Sequence, residues 1–129
     1  MPANKYDDLR NAGVVGLTIA PAVISAASTN GTGIDFLNSE GPIKAQVSLG
    51  VIDNATSGTI SFEESDDNST YTSVSGATSV TYTGTSDASV TVSQVFERTK
   101  RYVRAKITAA GGGPSVAACV TLETFKKSF

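Results

Sequence analysis

Carboxylates are concentrated in the segment from Phe62 to Val74, FEESDDNSTYTSV, which holds four of them within five positions. They are Glu63, Glu64, Asp66 and Asp67. Such a density can bind calcium, but the EF-hand pattern fails here, since Ser69 and Tyr71 stand where ligands should and no glycine follows. Asp, Asn and Ser side chains bond to their own backbone in turns. We therefore expect a hairpin loop and assign no metal site, with a less regular calcium site as the alternative.

Catalysis by a pair of these carboxylates is not expected. Glycosidases take their two carboxylates from separate segments that face a cleft, whereas neighbours on one exposed loop stay solvated and keep similar pKa values. The chain has no histidine, which removes a Ser-His-Asp triad and the commonest metal ligand. It also lacks the Gly-Lys-Ser/Thr ending of a phosphate-binding loop. We predict no catalytic residue and no cofactor, and we expect that the protein is not an enzyme.

The length, the net charge and the cysteine content limit which classes of protein remain possible. A chain of 129 residues suggests one domain, and its net charge of −2 argues against nucleic-acid binding by overall attraction to phosphate. The single cysteine, Cys119, cannot form an internal disulfide, and we expect it to fill space inside a strand. The polar N-terminus lacks a secretory core, and no stretch is long enough to span a bilayer. We expect a protein that is made and used in a cytoplasm, or assembled there into something larger, and that has no membrane partner.

Alternating apolar and polar residues predict an all-β fold. About eight short antiparallel strands are expected, at residues 23–25, 33–36, 43–49, 59–62, 80–83, 90–92, 102–108 and 116–122. Asn30-Gly31 is typical of a tight hairpin turn, Gly41-Pro42 should interrupt the chain, and residues 111–114 are expected to be a flexible loop. This spacing indicates a single β-sandwich or jelly-roll-like domain.

The first twenty residues have a different character. We predict an N-terminal arm over residues 1–20, a sandwich over 21–125 and a short tail over 126–129. The arm contains Val14, Val15, Leu17 and Ile19, which are too apolar for a solvated tail. We expect them to contact a neighbouring subunit, and a frayed terminus is the alternative.

Half of the ten basic residues lie between residues 98 and 106. On a strand, Tyr102, Arg104 and Lys106 share the outward face. They could contact an acidic protein surface or a nucleic acid. The simpler interpretation is that they keep the strand solvated.

Four stretches occur in an order that resembles a known family. They read VISAASTNGTGIDF, PIKAQVSLGVI, GTISFEESDDNSTYTSV and KRYVRAKIT. Over roughly residues 23–108 the chain is similar to small virion proteins of tailed bacteriophages. The two later motifs are fairly specific when they occur together. The resemblance implies a β-sandwich that is present in many copies in the phage particle.

The resemblance also implies a function and partners. The expected function is that of a capsid decoration, or cement, protein, which binds and stabilises the head through many weak contacts. Its partners would be the major capsid protein, contacted through the apolar arm and the outward face of residues 102–106, and its own copies in a symmetric homo-oligomer, with a trimer favoured. It would be located in the virion head, after assembly in the host cytoplasm, with no direct contact to nucleic acid.

Two alternatives remain open. One is another virion component, such as a head–tail joining or tail protein. The other is a carbohydrate-binding module, which would need a row of exposed aromatic rings to stack on sugars. The chain has no tryptophan, and its four tyrosines, at positions 6, 71, 82 and 102, do not fall on one strand face.

Overall fold

The computed structural model describes residues 15–25, 28–37, 39–53, 57–83, 90–110 and 115–126. These residues form ten strands. They are β1 (Val15–Ile24), β2 (Ser28–Asn30), β3 (Ile34–Asp35), β4 (Ser39–Asp53), β5 (Ser57–Ser65), β6 (Thr72–Ser73), β7 (Val80–Thr83), β8 (Val90–Phe96), β9 (Tyr102–Ala110) and β10 (Ser115–Lys126). Within these ranges there is no helix that could cross a membrane. The predicted all-β class is confirmed.

The strands form two antiparallel sheets. Sheet A has the order β1-β10-β4-β8. Sheet B has the order β2-β9-β5-β6, and in addition β3 pairs with β9 and β7 pairs with β5. Most neighbours are distant in sequence, so the sheets depend on long-range pairing. Two sheets that share one core form a β-sandwich, as the alternation predicts.

The core lies between the two sheets. Sheet A contributes the buried residues Ile43, Val47, Val116, Val120 and Leu122, and sheet B contributes Ile60, Phe62, Val103, Ala105 and Ile107. The rings of Phe62 in sheet B and Phe96 in sheet A lie 5.1 Å apart, so the inner faces interdigitate. Burial of each large aliphatic side chain contributes about 1.5–3 kcal/mol. The inward positions predicted on β9 and β10 are therefore confirmed.

Hydrogen bonds connect the sheets at both margins. At one margin the Thr18 hydroxyl of β1 donates to the Thr32 carbonyl at 2.8 Å and accepts from the Ala105 amide of β9 at 2.9 Å. At the other margin the Gln94 side chain of β8 accepts from the Thr78 amide at 2.9 Å and donates to its carbonyl at 2.6 Å. The two sheets therefore form a single unit.

The N-terminal boundary differs from the prediction. Residues 15–20, which we assigned to an arm, form the first half of β1 and pair with β10. The alternation was not visible because the register shifts twice, between Leu17 and Ile19 and between Ile19 and Ala22. At the other end, β10 reaches Lys126, which we placed in the tail. Residues 1–14, and residues 111–114 with the predicted flexible loop, lie outside the described part of the chain.

Three local predictions also need correction. Asn30-Gly31 does not close a hairpin, because β2 and β3 on either side of it both pair with β9. Gly41-Pro42 lies inside β4, where the register shifts and Gly41 takes a φ of 84°. The side chain of Cys119 is half-buried, because Ala118 and Val120 occupy the inward positions of β10.

Candidate interaction surface

The acidic segment forms the hairpin loop that the sequence predicts. β5 and β6 pair antiparallel, with Glu64 opposite Thr72. The Asp67 carboxylate accepts hydrogen bonds from the Ser65 hydroxyl at 2.8 Å and from the amides of Ser69 and Thr70 at 2.9 and 2.8 Å. These bonds, the one from Thr70 first, lower the pKa of Asp67 from 3.8 to about 2. The Asp67 carboxylate therefore holds the loop in its conformation.

Glu64 supports the connection between β8 and β9. Its carboxylate is buried and accepts hydrogen bonds from the Thr99 amide at 2.8 Å and the Thr99 hydroxyl at 2.7 Å. A third bond comes from the Lys100 amide at 3.3 Å. A buried charge is tolerated when it is hydrogen-bonded in this way. No local sequence pattern predicts this role of Glu64, because Thr99 lies 35 residues away.

Glu63 pairs with Arg104 on the outer face of sheet B. The two are cross-strand neighbours, and their side chains lie 3.0 Å apart at the closest nitrogen and oxygen. The guanidinium carbon of Arg104 also lies 3.8 Å from the centre of the Tyr71 ring. Arg104, which we named as a contact residue, therefore has partners within its own chain. The three carboxylates at 63, 64 and 67 do not converge on one point, and no metal-binding cluster of three ligands occurs among the described residues.

Arg98 and Arg101, which precede β9, also contact this chain. Arg101 makes two hydrogen bonds to Asp35, at 2.8 and 2.7 Å. These bonds lower the pKa of Asp35 from 3.8 to about 2 and raise the pKa of Arg101. Arg98 donates to the carbonyls of Phe36, Ser39 and Lys100, at 2.8, 2.9 and 2.8 Å. These bonds therefore connect the residues directly before β9 to the loop that follows β3.

The apolar residues predicted to contact a partner have different environments. Val15 and Leu17 lie on the edge strand β1, with 66% and 49% of their surface exposed. Ile19 is 5% exposed and belongs to the core, so it cannot contact a partner. Val14 lies outside the described residues. On β9, Tyr102 and Lys106 are half-buried, and Arg101 lies 5.0 Å from the centre of the Tyr102 ring.

Sequence reasoning missed an apolar surface on the outer face of sheet A. Val23 pairs with Ala117 across β1 and β10, and the neighbouring strand β4 bulges at Gly50 and Val51. Val23 and Val51 are exposed. Beside them runs a groove of about 440 Å³ that is lined by Pro21, Val23, Gly50, Ala117 and Cys119 among others. We call Val23, Gly50, Val51, Ala117 and Cys119 the outer patch. The bulge at Gly50 breaks the alternation, so the sequence does not show which of these side chains point outward.

A second concavity lies at one end of sheet B. It has a volume of about 340 Å³ and is lined by Ser57, Gly58, Thr59, Thr81, Tyr82, Thr83, Thr108 and Ala109. The Tyr82 ring packs over Gly58, where a side chain would not fit. Its hydroxyl is buried, has no hydrogen-bond partner within the described ranges, and has a pKa that burial raises.

Comparison with known proteins gives a structural neighbour. The chain matches no protein-family model and no curated protein. Among solved structures it is similar to the PBSX exported protein XepA, with a TM-score of 0.62 and 20% sequence identity. The match covers 91% of this chain and 38% of that protein, so this chain spans well under half of its length. At this identity the likeness shows a shared fold.

The acidic residues of the loop and the outer patch have different surroundings. Glu63, Glu64 and Asp67 each stabilise a loop or a strand pair, and the cations near them are bonded within the chain. The outer patch, by contrast, presents exposed aliphatic side chains on the outer face of sheet A. Exposed apolar surface of this kind is typical of protein–protein contacts.

Proposed function

We propose that this chain is a structural protein of a phage particle. The resemblance of its motifs to virion proteins supports this, and the fold that it shares with the PBSX exported protein XepA is compatible with it. We further propose that it is a capsid decoration protein located on the phage head. Its partners are the major capsid protein and its own copies in a symmetric oligomer.

The outer patch is the observation that carries this proposal. Val23 and Val51 are exposed on the same face of sheet A, and Val15 and Leu17 continue the apolar surface along β1. Because the strands that carry this surface are paired with one another, they can dock with little loss of conformational entropy. One such contact is weak, but many copies on a symmetric shell resist internal pressure together.

Protein quantification of purified particles tests the proposed location. A decoration protein should be present in hundreds of copies, on the order of the number of capsid subunits. A copy number near that of a neck or tail ring, about six or twelve, would instead support a head–tail joining or tail protein. An absence from purified particles would contradict both.

Substitutions in the outer patch test the proposed surface. Val23→Asp together with Val51→Asp places two charges on it, and we expect binding to undecorated heads to weaken at least about tenfold, since buried charges are costly at interfaces. Leu37→Asp is the matched control, because Leu37 is also exposed but lies outside sheet A. Equal binding by both variants would contradict a role for the outer patch.

A further inference from the structure

Most strand edges of the sandwich are protected against pairing with another chain. An exposed edge offers free backbone donors and acceptors, which proteins usually block with bulges, prolines or very short strands. β1 has two register shifts and contains Pro21. At the edges of sheet B the strands have two to four residues each; they are β2, β3, β6 and β7.

The edge formed by β8 lacks these protections. It has seven residues, VTVSQVF, with neither a charge nor a proline. It pairs with β4 over its whole length without a register shift. In the part of the chain that the structure describes, β4 is the only strand that pairs with β8. Among the described residues, no strand lies along the other side of β8, and the Thr78 backbone meets this margin through the Gln94 side chain.

Apolar side chains remain partly uncovered along β8. Val90 and Val92 lie opposite the buried Leu49 and Val47 of β4 and face the interior, but they are only half-buried. Val95 points to the outer face and is 60% exposed. A further strand beside β8 would cover these side chains on both faces of the sheet.

We propose that β8 is where two copies of this chain pair, antiparallel and about a two-fold axis, so that their A sheets form one eight-stranded sheet. A strand without charges brings no like charges together when it meets its own copy. A register centred on Ser93 uses all seven residues. It places Thr91 opposite Val95 of the second copy, and Val92 opposite Gln94.

This pairing is a two-fold contact between identical surfaces. It yields a dimer in place of the trimer favoured by the family resemblance. It leaves the outer patch free on each copy, because that patch lies on β1, β10 and the part of β4 beyond its pairing with β8. The pairing does not depend on the proposed function, since the purified protein alone can form it.

Cysteine crosslinking tests the register. In a Cys119→Ala background, Ser93→Cys places two thiols together at the two-fold axis, whereas Ser73→Cys on the short edge strand β6 is the matched control. Mild oxidation should link most of the Ser93→Cys protein into dimers, at least about tenfold faster than the control at the same low concentration. Equal rates for the two variants would overturn the register.

Charge reversal tests the interface. The double variant Thr91→Glu and Val95→Glu places like charges opposite each other across the axis, and Thr91→Lys with Val95→Glu places opposite charges there. In analytical ultracentrifugation we expect a dimer for the unmodified chain, a monomer for the Glu/Glu variant and a dimer again for the Lys/Glu variant. Circular dichroism checks that all three are folded.

Two results would overturn the dimer. One is an unmodified chain that stays monomeric at about 100 µM, which corresponds to less than ~6 kcal/mol of association free energy. The other is a Glu/Glu variant that remains dimeric, since the contact would then lie elsewhere. Loss of head binding by outer-patch variants with an intact dimer would separate this inference from the proposed function.

Discussion

At the residue scale, Asp67 connects the acidic loop to a testable pH dependence. Its folded-state pKa of about 2 lies below the ordinary 3.8, so the folded state binds the proton less readily than the unfolded state. The stability that the carboxylate contributes is present above pH 3.8 and is lost as the pH falls through about 2. Asp67→Asn should therefore be less stable than the unmodified chain at pH 7, and this difference should shrink in acid.

Urea unfolding at pH 7, 4, 3 and 2 measures this difference. Asp35 has a similarly lowered pKa, but it is present in both proteins and cancels in the comparison. Asp66→Asn is the matched control, because Asp66 is an exposed neighbour in the same loop. A constant stability difference between Asp67→Asn and the unmodified chain from pH 7 to pH 2 would contradict the lowered pKa.

At the element scale, the first bulge of β1 places Thr18 and Ile19 side by side in the interior. Thr18 uses this position to join the two sheets, and the Thr32 amide donates back to its carbonyl at 2.7 Å. Residue 31 must be a glycine, because a Cβ at this position would lie 2.5 Å from the Thr18 hydroxyl oxygen and 2.8 Å from the Ala105 carbonyl oxygen. A single hydroxyl thus determines how β1 meets sheet B.

Thr18→Val removes that hydroxyl and keeps the shape of the side chain. The buried Ala105 amide loses its partner, so we expect the free energy of unfolding to fall by about 2 kcal/mol. Thr18→Ser is the matched control, since it keeps the hydroxyl and loses only a methyl group, worth about 0.8 kcal/mol. Denaturant titration compares the two. A Thr18→Ser variant that is less stable than Thr18→Val would show that the methyl group matters more than the hydroxyl.

The same elements show what the sequence could predict. The regular alternation in β9 and β10 follows from their one buried face, so their existence and their inward residues were predictable. The bulges in β1 and at Gly50 break that alternation, so neither the first half of β1 nor the outer patch was predictable from it. Strand order and the pairs Glu63–Arg104 and Asp35–Arg101 depend on contacts 41 and 66 residues apart, which no local pattern encodes.

At the scale of the whole molecule, the position of β1 determines what an N-terminal truncation can test. Removing residues 1–20 would delete half of an edge strand, including Ile19 in the core and the hydroxyl of Thr18. We expect a loss of at least about 3 kcal/mol from these two side chains together. Removing residues 1–13 is the matched control, because it leaves every described strand intact.

Denaturant unfolding and head binding, measured on both truncated chains, separate stability from docking. If the deletion of residues 1–20 unfolds at the same urea concentration as the control, β1 is not a structural part of sheet A. If it is destabilised as expected, any loss of head binding follows from a damaged sheet and says nothing about an arm. The docking role of Val15 and Leu17 must then be tested by substitution in the full chain, with Val15→Asp and Leu17→Asp on an intact β1.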